Sequence, residues 1–409
     1  MPAEAAEEGK PGFSRRLGRA RVAATVAMTV RARALREAGH NVIMMTIGEP
    51  DFATPPHAIE AAHRAALAGE TKYPPQDGTR RLKEAVQRKF ARENGLEFGL
   101  DQIMVGNGGK QVIFDAFMAT VDEGDEIVVP APYWGAYPLM TRLLGATPVV
   151  VNCYQNNGFK PRPEDIEAAI TPRTKWLVLN LPNNPTGAAC DADELRAIAD
   201  VLARHPHVWV MSDEMYEHLS YGEAPIASIA RAAPAIADRV LTISGVSKTY
   251  AMTGWRIGFG AGPRELIRAM VTMQGQATAG VSAVGQAAAA AALDGPQELV
   301  AERAALYRRR RDIVVDALNA IPGLACHRPE GAFYVFPSIA GCLGRTSAGG
   351  RRIETDQDFA EALLEEQYVG VVGGAAFGMS PYLRLSYATD EASLVEGCRR
   401  IGAFVAGLS

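Results

Sequence analysis

What this 409-residue chain has little of narrows it first. Cysteine is scarce: Cys153, Cys190, Cys326, Cys342 and Cys398 make an odd number at wide, irregular spacing. They match no disulfide framework and no paired zinc-ligand pattern, so no metal is expected and a reducing cytoplasm fits best. Charge of one sign is missing too, since 42 basic against 46 acidic residues leave a net charge of -4. Such a chain has no field for a polyanion, which argues against nucleic acid and anionic membrane as partners. Long apolar runs are absent: the stretch from Val284 to Leu293 is alanine-rich and falls short of the roughly 20 residues a bilayer requires. The opening MPAEAAEEGKPGFSRR carries acid where a signal peptide needs positive charge, and residues 1–14 read as a disordered tail. At 48% hydrophobic, the chain can bury one large core and a smaller one.

What is present has a clear order. The runs DEIVVPAP, TPVVVNC, KWLVLNLP, HVWVMSDE, VLTISGVS and RIGFGAG each read as a buried strand, with helical periodicity between several of them. This predicts an α/β fold, a mostly parallel mixed sheet between helices over residues 51–300. From about Glu302 a long charged helix, the short strands GAFYVFP and YLRLSYAT and a closing helix predict a smaller α+β domain over 301–409. Residues 15–50, with a helix near Val26 to Ala38, are expected to join that small domain, connected by GEPDFATPP. The loop GCLGRTSAGGRR reads as a flexible surface excursion and Arg308 to Arg311 as a solvated helix face.

In such sheets ligands bind beyond the carboxyl ends of the strands, and Asn184, Asp213 and Lys248 each follow one. Lys248, in Ser247-Lys248-Thr249, lies eight positions before Arg256. A lysine bonds an aldehyde only as the neutral amine, and an arginine close by holds a phosphate; the two demands match pyridoxal 5'-phosphate (PLP). Asp213 at a strand end is a buried carboxylate that a pyridinium nitrogen would pair, or else a helix N-cap. Tyr216 and Asn184, the latter placed just before a helix start, suit a phenolic oxygen; the alternatives are a buried tyrosine and a turn. Gly109 and Lys110 open an apolar-periodic helix fit for phosphate, without the Ser or Thr of a Walker loop. Trp134 would stack on a planar ring or simply fill a core. Arg384, inside an apolar strand, needs a buried anion: a substrate carboxylate or an internal salt bridge.

The motifs GEPDF, TKYPPQDGT, GGKQ, PYW, PNNPTG, SDEMYEHL, SKTYAMTGWRIG, GAFYVFP and RLSYAT occur in that order. With them the chain resembles, from about Arg15 to its C-terminus, the aspartate aminotransferase family of class I/II aminotransferases, fold-type I PLP enzymes. The pattern is nearest the bacterial branch that includes aspartate and prephenate aminotransferases. The resemblance implies Lys248 as Schiff-base lysine and proton shuttle, Asp213 on the pyridine nitrogen, and Asn184 and Tyr216 on the phenolic oxygen. It implies Arg256, Ser247 and the backbone at Gly109 and Lys110 on the phosphate, with Tyr73 reaching in from the neighbouring subunit of a homodimer. Trp134 would cover the ring, Arg384 and the Gly48 backbone would bind the α-carboxylate, and Thr25 with Lys110 would meet the distal group. Ala23, Leu181, Gly135-Ala136, Gly373 and QATAGVSAVGQ depart from the family pattern, and these departures are expected near the pocket. The implied activity is transfer of an amino group between an L-amino acid and a 2-oxo acid by ping-pong half-reactions. A specialised PLP enzyme, an oxidase, β-eliminating lyase or cyclase, is the alternative. An effector domain of a transcription regulator is disfavoured, because only a short tail precedes the domain and no basic helix-turn-helix is visible.

Overall fold

The computed structural model describes residues 13–19, 24–222 and 227–409, without the side chains of Ala24 and Thr25. All but the last two residues of the tail expected over 1–14 lie outside them, as does Ala23.

After the short β1 (Ile43–Met44), the valine-, isoleucine- and leucine-rich runs form β2 (Ile103–Asn107), β3 (Glu126–Ala131), β4 (Thr147–Asn152), β5 (Thr174–Asn180), β6 (Trp209–Asp213), β7 (Val240–Gly245) and β8 (Ile257–Ala261). These last seven make one sheet in the order β2-β8-β7-β6-β5-β3-β4, in which β8 alone runs against the rest. Alternate side chains point to opposite faces, so Leu177 and Leu179 enter one core with the Arg80–Lys89 and Ala283–Asp294 helices, while Val178 enters the other. That second core also takes Met211, Leu241 and Ile243 and is covered by the Gly109–Thr120 and Arg264–Ala277 helices. Each fully buried Leu or Ile there stabilises the fold by about 1.5–3 kcal/mol relative to exposure. TPVVVNC, expected to be buried, is the edge strand β4 instead: most of its residues are partly open and Val150 is exposed, because an edge has a neighbour on one side only.

A third core combines Met28, Ala32, Val42 and Met45 with residues from Tyr307 to Leu408. Within it β1 pairs in parallel with β10 (Val369–Gly370), and β9 (Tyr334–Val335), β11 (Val372–Gly373) and β12 (Leu383–Ser386) form an antiparallel sheet ordered β11-β12-β9. The helix Glu298–Asn319 passes unbroken through position 301 and buries Tyr307, Val314, Val315 and Leu318.

Two expectations are corrected here. Arg310 and Arg311 are buried, not solvated: Arg310 Nη1 meets Asp51 Oδ1 at 2.9 Å, and Arg311 Nη1 donates to the Pro329 carbonyl at 2.9 Å, its guanidinium 5.0 Å over Tyr221. Positions 307, 310, 311 and 314 share one helix face, and that face is turned to the core. GCLGRTSAGGRR is tied down rather than loose, since Thr346 and Ser409 exchange backbone hydrogen bonds of 2.8 and 3.0 Å and Ser347 Oγ donates to Glu366 at 2.6 Å.

Candidate active site

The strands β5, β6 and β7 stand in register, Asn180 beside Asp213 beside Ile243, so their carboxyl ends stop at one level. Beyond them opens a cavity of about 490 Å³, the size of a cofactor and a small substrate together. Segments from the sheet and from the third core line it, with Thr46 to Glu49, Tyr334 and Arg384 across from Asp213 and Lys248.

Lys248 follows the buried Ser247 and donates from Nζ to the Gly48 carbonyl oxygen at 2.5 Å. Burial lowers its pKa to about 8, with Arg384 and Arg256 pushing the same way and Glu49 and Asp213 opposing. Near-neutral solution therefore holds an appreciable fraction as the free amine, the form that can attack a carbonyl. Asp213 ends β6 and is buried. Tyr137 Oη donates to its Oδ2 at 2.5 Å and the Met215 amide to its Oδ1 at 3.2 Å. Burial raises its pKa, and among the described residues no cation touches it. The N-cap alternative fails because the chain after Asp213 turns instead of starting a helix.

Arg256 adopts a left-handed φ of 56° and anchors its guanidinium on two carbonyls, Thr253 O at 3.0 Å and Asn107 O at 3.2 Å. Gly108, φ 78°, precedes the Gly109–Thr120 helix, and a Cβ there would sit 2.5 Å from Arg256 Nη2. A Cβ at Gly258 would collide with the Gly109 nitrogen. Glycine at these positions lets a fixed cation approach a helix N-terminus, whose free N–H groups and dipole already favour an anion. Lys110 adds a second positive charge, its Nζ 5.6 Å over the Trp134 ring. Among the described residues neither Arg256 nor Lys110 has a carboxylate partner, so both positive charges are left to face the cavity.

Arg384 on β12 is buried, donating from Nη1 to Asn184 Oδ1 at 3.1 Å and from Nη2 to the Thr46 carbonyl at 2.6 Å. Its Nε is buried without a partner, and no described carboxylate pairs with it. The salt-bridge alternative is thereby removed. Asn184 differs from its expected setting: the next helix starts only at Ala192, and a bond from its amide to Asn180 Oδ1 at 2.9 Å holds the loop. Tyr216 is buried, its hydroxyl 3.0 Å from that of Tyr334.

Gly48, Gly109, Lys110, Trp134, Asn184, Asp213, Tyr216, Ser247, Lys248, Arg256 and Arg384 thus line one cavity. Tyr73 stands apart, 96% exposed and outside the lining of its own chain's cavity. Thr25 is in the first turn of the Ala24–Glu37 helix with its side chain outside the described residues; Val26, Thr29, Val30 and Arg33 of that helix line the cavity. Leu181, Gly135, Ala136 and Gly373 are not themselves lining residues, though Gly135 and Ala136 sit between the lining residues Trp134 and Tyr137 and Leu181 follows Asn180; Leu181 packs in the first sheet core, and Gly373 abuts the Asp356 backbone. Sequence reasoning missed Tyr137, Tyr334 and Glu49. Tyr137 had a signal, since it follows Trp134 by three residues, one helical turn, whereas Tyr334 sat unremarked in GAFYVFP. Among the described residues no group of three or more His, Cys, Asp or Glu side chains could hold a metal, and no helix is long and apolar enough to cross a membrane.

A strand-end lysine with a depressed pKa, an acid awaiting a cation and an arginine cradle awaiting an anion, on a mostly parallel sheet, define a group-transfer enzyme of the α/β class. The sequence matches aminotransferase class I and II over residues 40–401, and the chain belongs to that family. It is 54% identical to the aspartate/prephenate aminotransferase of Cereibacter sphaeroides over 393 residues, covering 96% of this chain and 98% of that protein. It is 51% identical to an aspartate aminotransferase of Rhizobium meliloti over 373 residues, 91% of each. The crystal structure of the aspartate aminotransferase from Rhizobium meliloti superposes with a TM-score of 0.95 at 48% identity, over 98% of this chain and 100% of that one. The Thermus thermophilus aspartate aminotransferase with maleate gives 0.89 at 41%, over 97% and 100%. The protein is an aminotransferase of fold type I, working between an amino acid and a 2-oxo acid.

Proposed function

We propose that this aminotransferase works through PLP bound covalently to Lys248, in a cytoplasmic homodimer, and passes an amino group from an L-amino acid to a 2-oxo acid by ping-pong half-reactions. The observation that carries the reading is the meeting in one cavity of a depressed-pKa amine, a buried carboxylate without a cation and a guanidinium cradle without an anion. These three deficits are those a phosphorylated pyridine aldehyde would fill. When bound, that ring supplies an electron sink for charge developing at the substrate Cα.

The residues have separable tasks in this reading. Arg256, Ser247 and the helix start at Gly109 and Lys110 hold the phosphate, and Asp213 keeps a proton on the ring nitrogen by pairing with its positive charge. Asn184 and Tyr216 offer donors to the phenolic oxygen, and Trp134 covers the ring. Arg384 grips the α-carboxylate with the help of the Gly48 backbone, its guanidinium lining the cavity without a carboxylate partner among the described residues. Lys248 Nζ, once displaced, is placed to take the proton from Cα and return it. Tyr73 completes the phosphate site from the second subunit; its bare ring, with Leu67 76% exposed, supports a surface meant to be covered. Lys110, with Arg33 and Thr25 on the facing helix, supports a donor with a distal acidic group, as do the relatives named for aspartate and prephenate.

The alternative is a specialised oxidase, lyase or cyclase, which none of the residues lining the cavity specifically favours. The test is a screen of amino donors with 2-oxoglutarate on the wild type and on Lys248→Ala. Stoichiometric 2-oxo acid and glutamate from the wild type, and neither from the variant, are expected. Sustained turnover by Lys248→Ala, or oxygen uptake without need of an acceptor, would sink the proposal.

A further inference from the structure

Tyr334 stands where the two halves of the site meet. It lies on β9, paired through Ser386 with the strand that carries Arg384, and is buried. The Arg384 guanidinium carbon lies 4.7 Å from the centroid of the Tyr334 ring and 4.9 Å from that of Phe377, so the cation is held by two aromatic rings. The Tyr334 hydroxyl touches Tyr216 at 3.0 Å, and a Cβ on Gly48, the residue whose carbonyl receives Lys248, would collide with it. Asp213, Arg384 and Lys248, the last 5.8 Å above the Tyr216 ring, are the charged groups that face this pair of hydroxyls.

A phenol has one proton to give. Among the described residues Tyr334 Oη has no hydrogen-bond partner besides Tyr216, and Tyr216 Oη none besides Tyr334. Both hydroxyls line the cavity, so the one that accepts keeps its own proton for a ligand; if Tyr216 donated to Tyr334, Tyr216 would have nothing left to give the cavity. With Tyr334 as donor both are satisfied, and the single Tyr216 proton points to the ligand. A donor behind a donor also strengthens it, because hydrogen bonds in series polarise one another.

We infer that Tyr334 is a positioning residue for the amino-transfer site: its hydroxyl fixes the direction and strength of the Tyr216 proton, while its ring holds Arg384 flat for the substrate carboxylate. The inference rests on the PLP reading, since the Tyr216 proton must have a ligand oxygen to meet. A donor to that oxygen withdraws negative charge and lowers the basicity of the conjugated nitrogen, so weakening the donor raises the pH at which the cofactor's absorption band titrates.

The holoenzyme is titrated spectrophotometrically as wild type, Tyr334→Phe, Tyr216→Phe, the double variant and Tyr334→Leu, with thermal melts to confirm folding. Tyr334→Phe keeps the ring and the Tyr216 proton and removes only the polarising donor, so it should move the midpoint upward by about 0.1 to 0.3 unit, with KM for the donor within about twofold. In the Tyr216→Phe background the same change should move nothing. Tyr334→Leu should add a rise in KM of about tenfold or more, the loss of a desolvated cation–π plane. A Tyr334→Phe midpoint equal to wild type, or an equal shift with and without Tyr216, overturns the inference while leaving the proposed function intact. A wild type that takes up no cofactor and shows no band overturns both.

Discussion

Two regions a residue apart use buried charge in opposite ways. On one side of the β6 and β7 ends are Asp213 and Lys248, facing the cavity. On the other, Glu214, Glu217, Ser244 and Thr249 face the Arg80–Lys89 helix and the turn after it. There Lys89, 1% exposed, donates to Glu217 at 2.5 Å and to Asn94 at 2.7 Å. Ser244 donates to Glu217 at 2.6 Å, Ser212 to Glu214 at 2.7 Å, and His218 bridges Glu93 at 2.8 Å to Thr249 at 2.9 Å. Burial resists the Glu217 charge, yet Lys89 holds its pKa down; burial and the Glu217 charge together push Glu214 up. These carboxylates, with Lys89 and His218, are partnered within the chain, whereas Asp213 and Arg256 face the cavity without an opposite charge. The completed set braces the chain segments that present the incomplete one. Among these charged groups, lack of an opposite charge, more than burial, distinguishes working residues from supporting ones.

The contrast breaks most sharply at Lys89. Lys89→Ala leaves the buried Glu217 without its cation, a loss of about 3–5 kcal/mol. Urea unfolding should show that loss, while turnover per folded molecule at low temperature stays close to wild type. A variant equally stable but inactive would move Lys89 into the catalytic set. Asp213→Asn does the reverse. The amide keeps the shape and the Tyr137 contact but cannot balance a ring cation, so turnover should fall on the order of 100-fold or more, the scale of losing one preorganised electrostatic contact. Its unfolding midpoint without cofactor should not fall. A large stability loss there would show that Asp213 is structural.

Most of the cavity was legible in the sequence because its residues sit at fixed places on regular elements: the last residue of a strand for Asp213, the first turn of a helix for Gly109 and Lys110. The sheet was legible because the central strands, covered on both faces, read as unbroken apolar runs. The bracing network was not, since its members come from positions 89 to 94, 212 to 218, 244 and 249, and nothing in local pattern says that these meet. Half of the Arg308 to Arg311 run misled for the same reason: Arg308 and Arg309 are exposed as their charge suggests, but Arg310 and Arg311 are not, because whether a helix face meets water depends on what packs against it. Tyr334 lay inside an apolar strand where a tyrosine asks for no explanation until its hydroxyl is seen against Tyr216.

The smallest effect follows from Lys248 and separates the cavity from its support by pH. In the cofactor-free protein its pKa is depressed from 10.5 to about 8, burial being the chief cause. Below about pH 8 the amine is protonated whether the chain is folded or not, and the folded state bears the full penalty of the buried charge. Between about 8 and 10.5 the folded protein has released that proton and the unfolded chain has not, so the unfolded state binds more protons and this contribution to stability rises with pH. The gain is roughly 1–3 kcal/mol across the interval, because water in the open cavity screens part of the penalty. Lys248→Met removes the group, so the difference in unfolding free energy between cofactor-free wild type and variant should narrow steadily from pH 7.5 to 10. A constant difference would mean that Lys248 titrates as an ordinary lysine, and the deficit at the centre of the site would be gone.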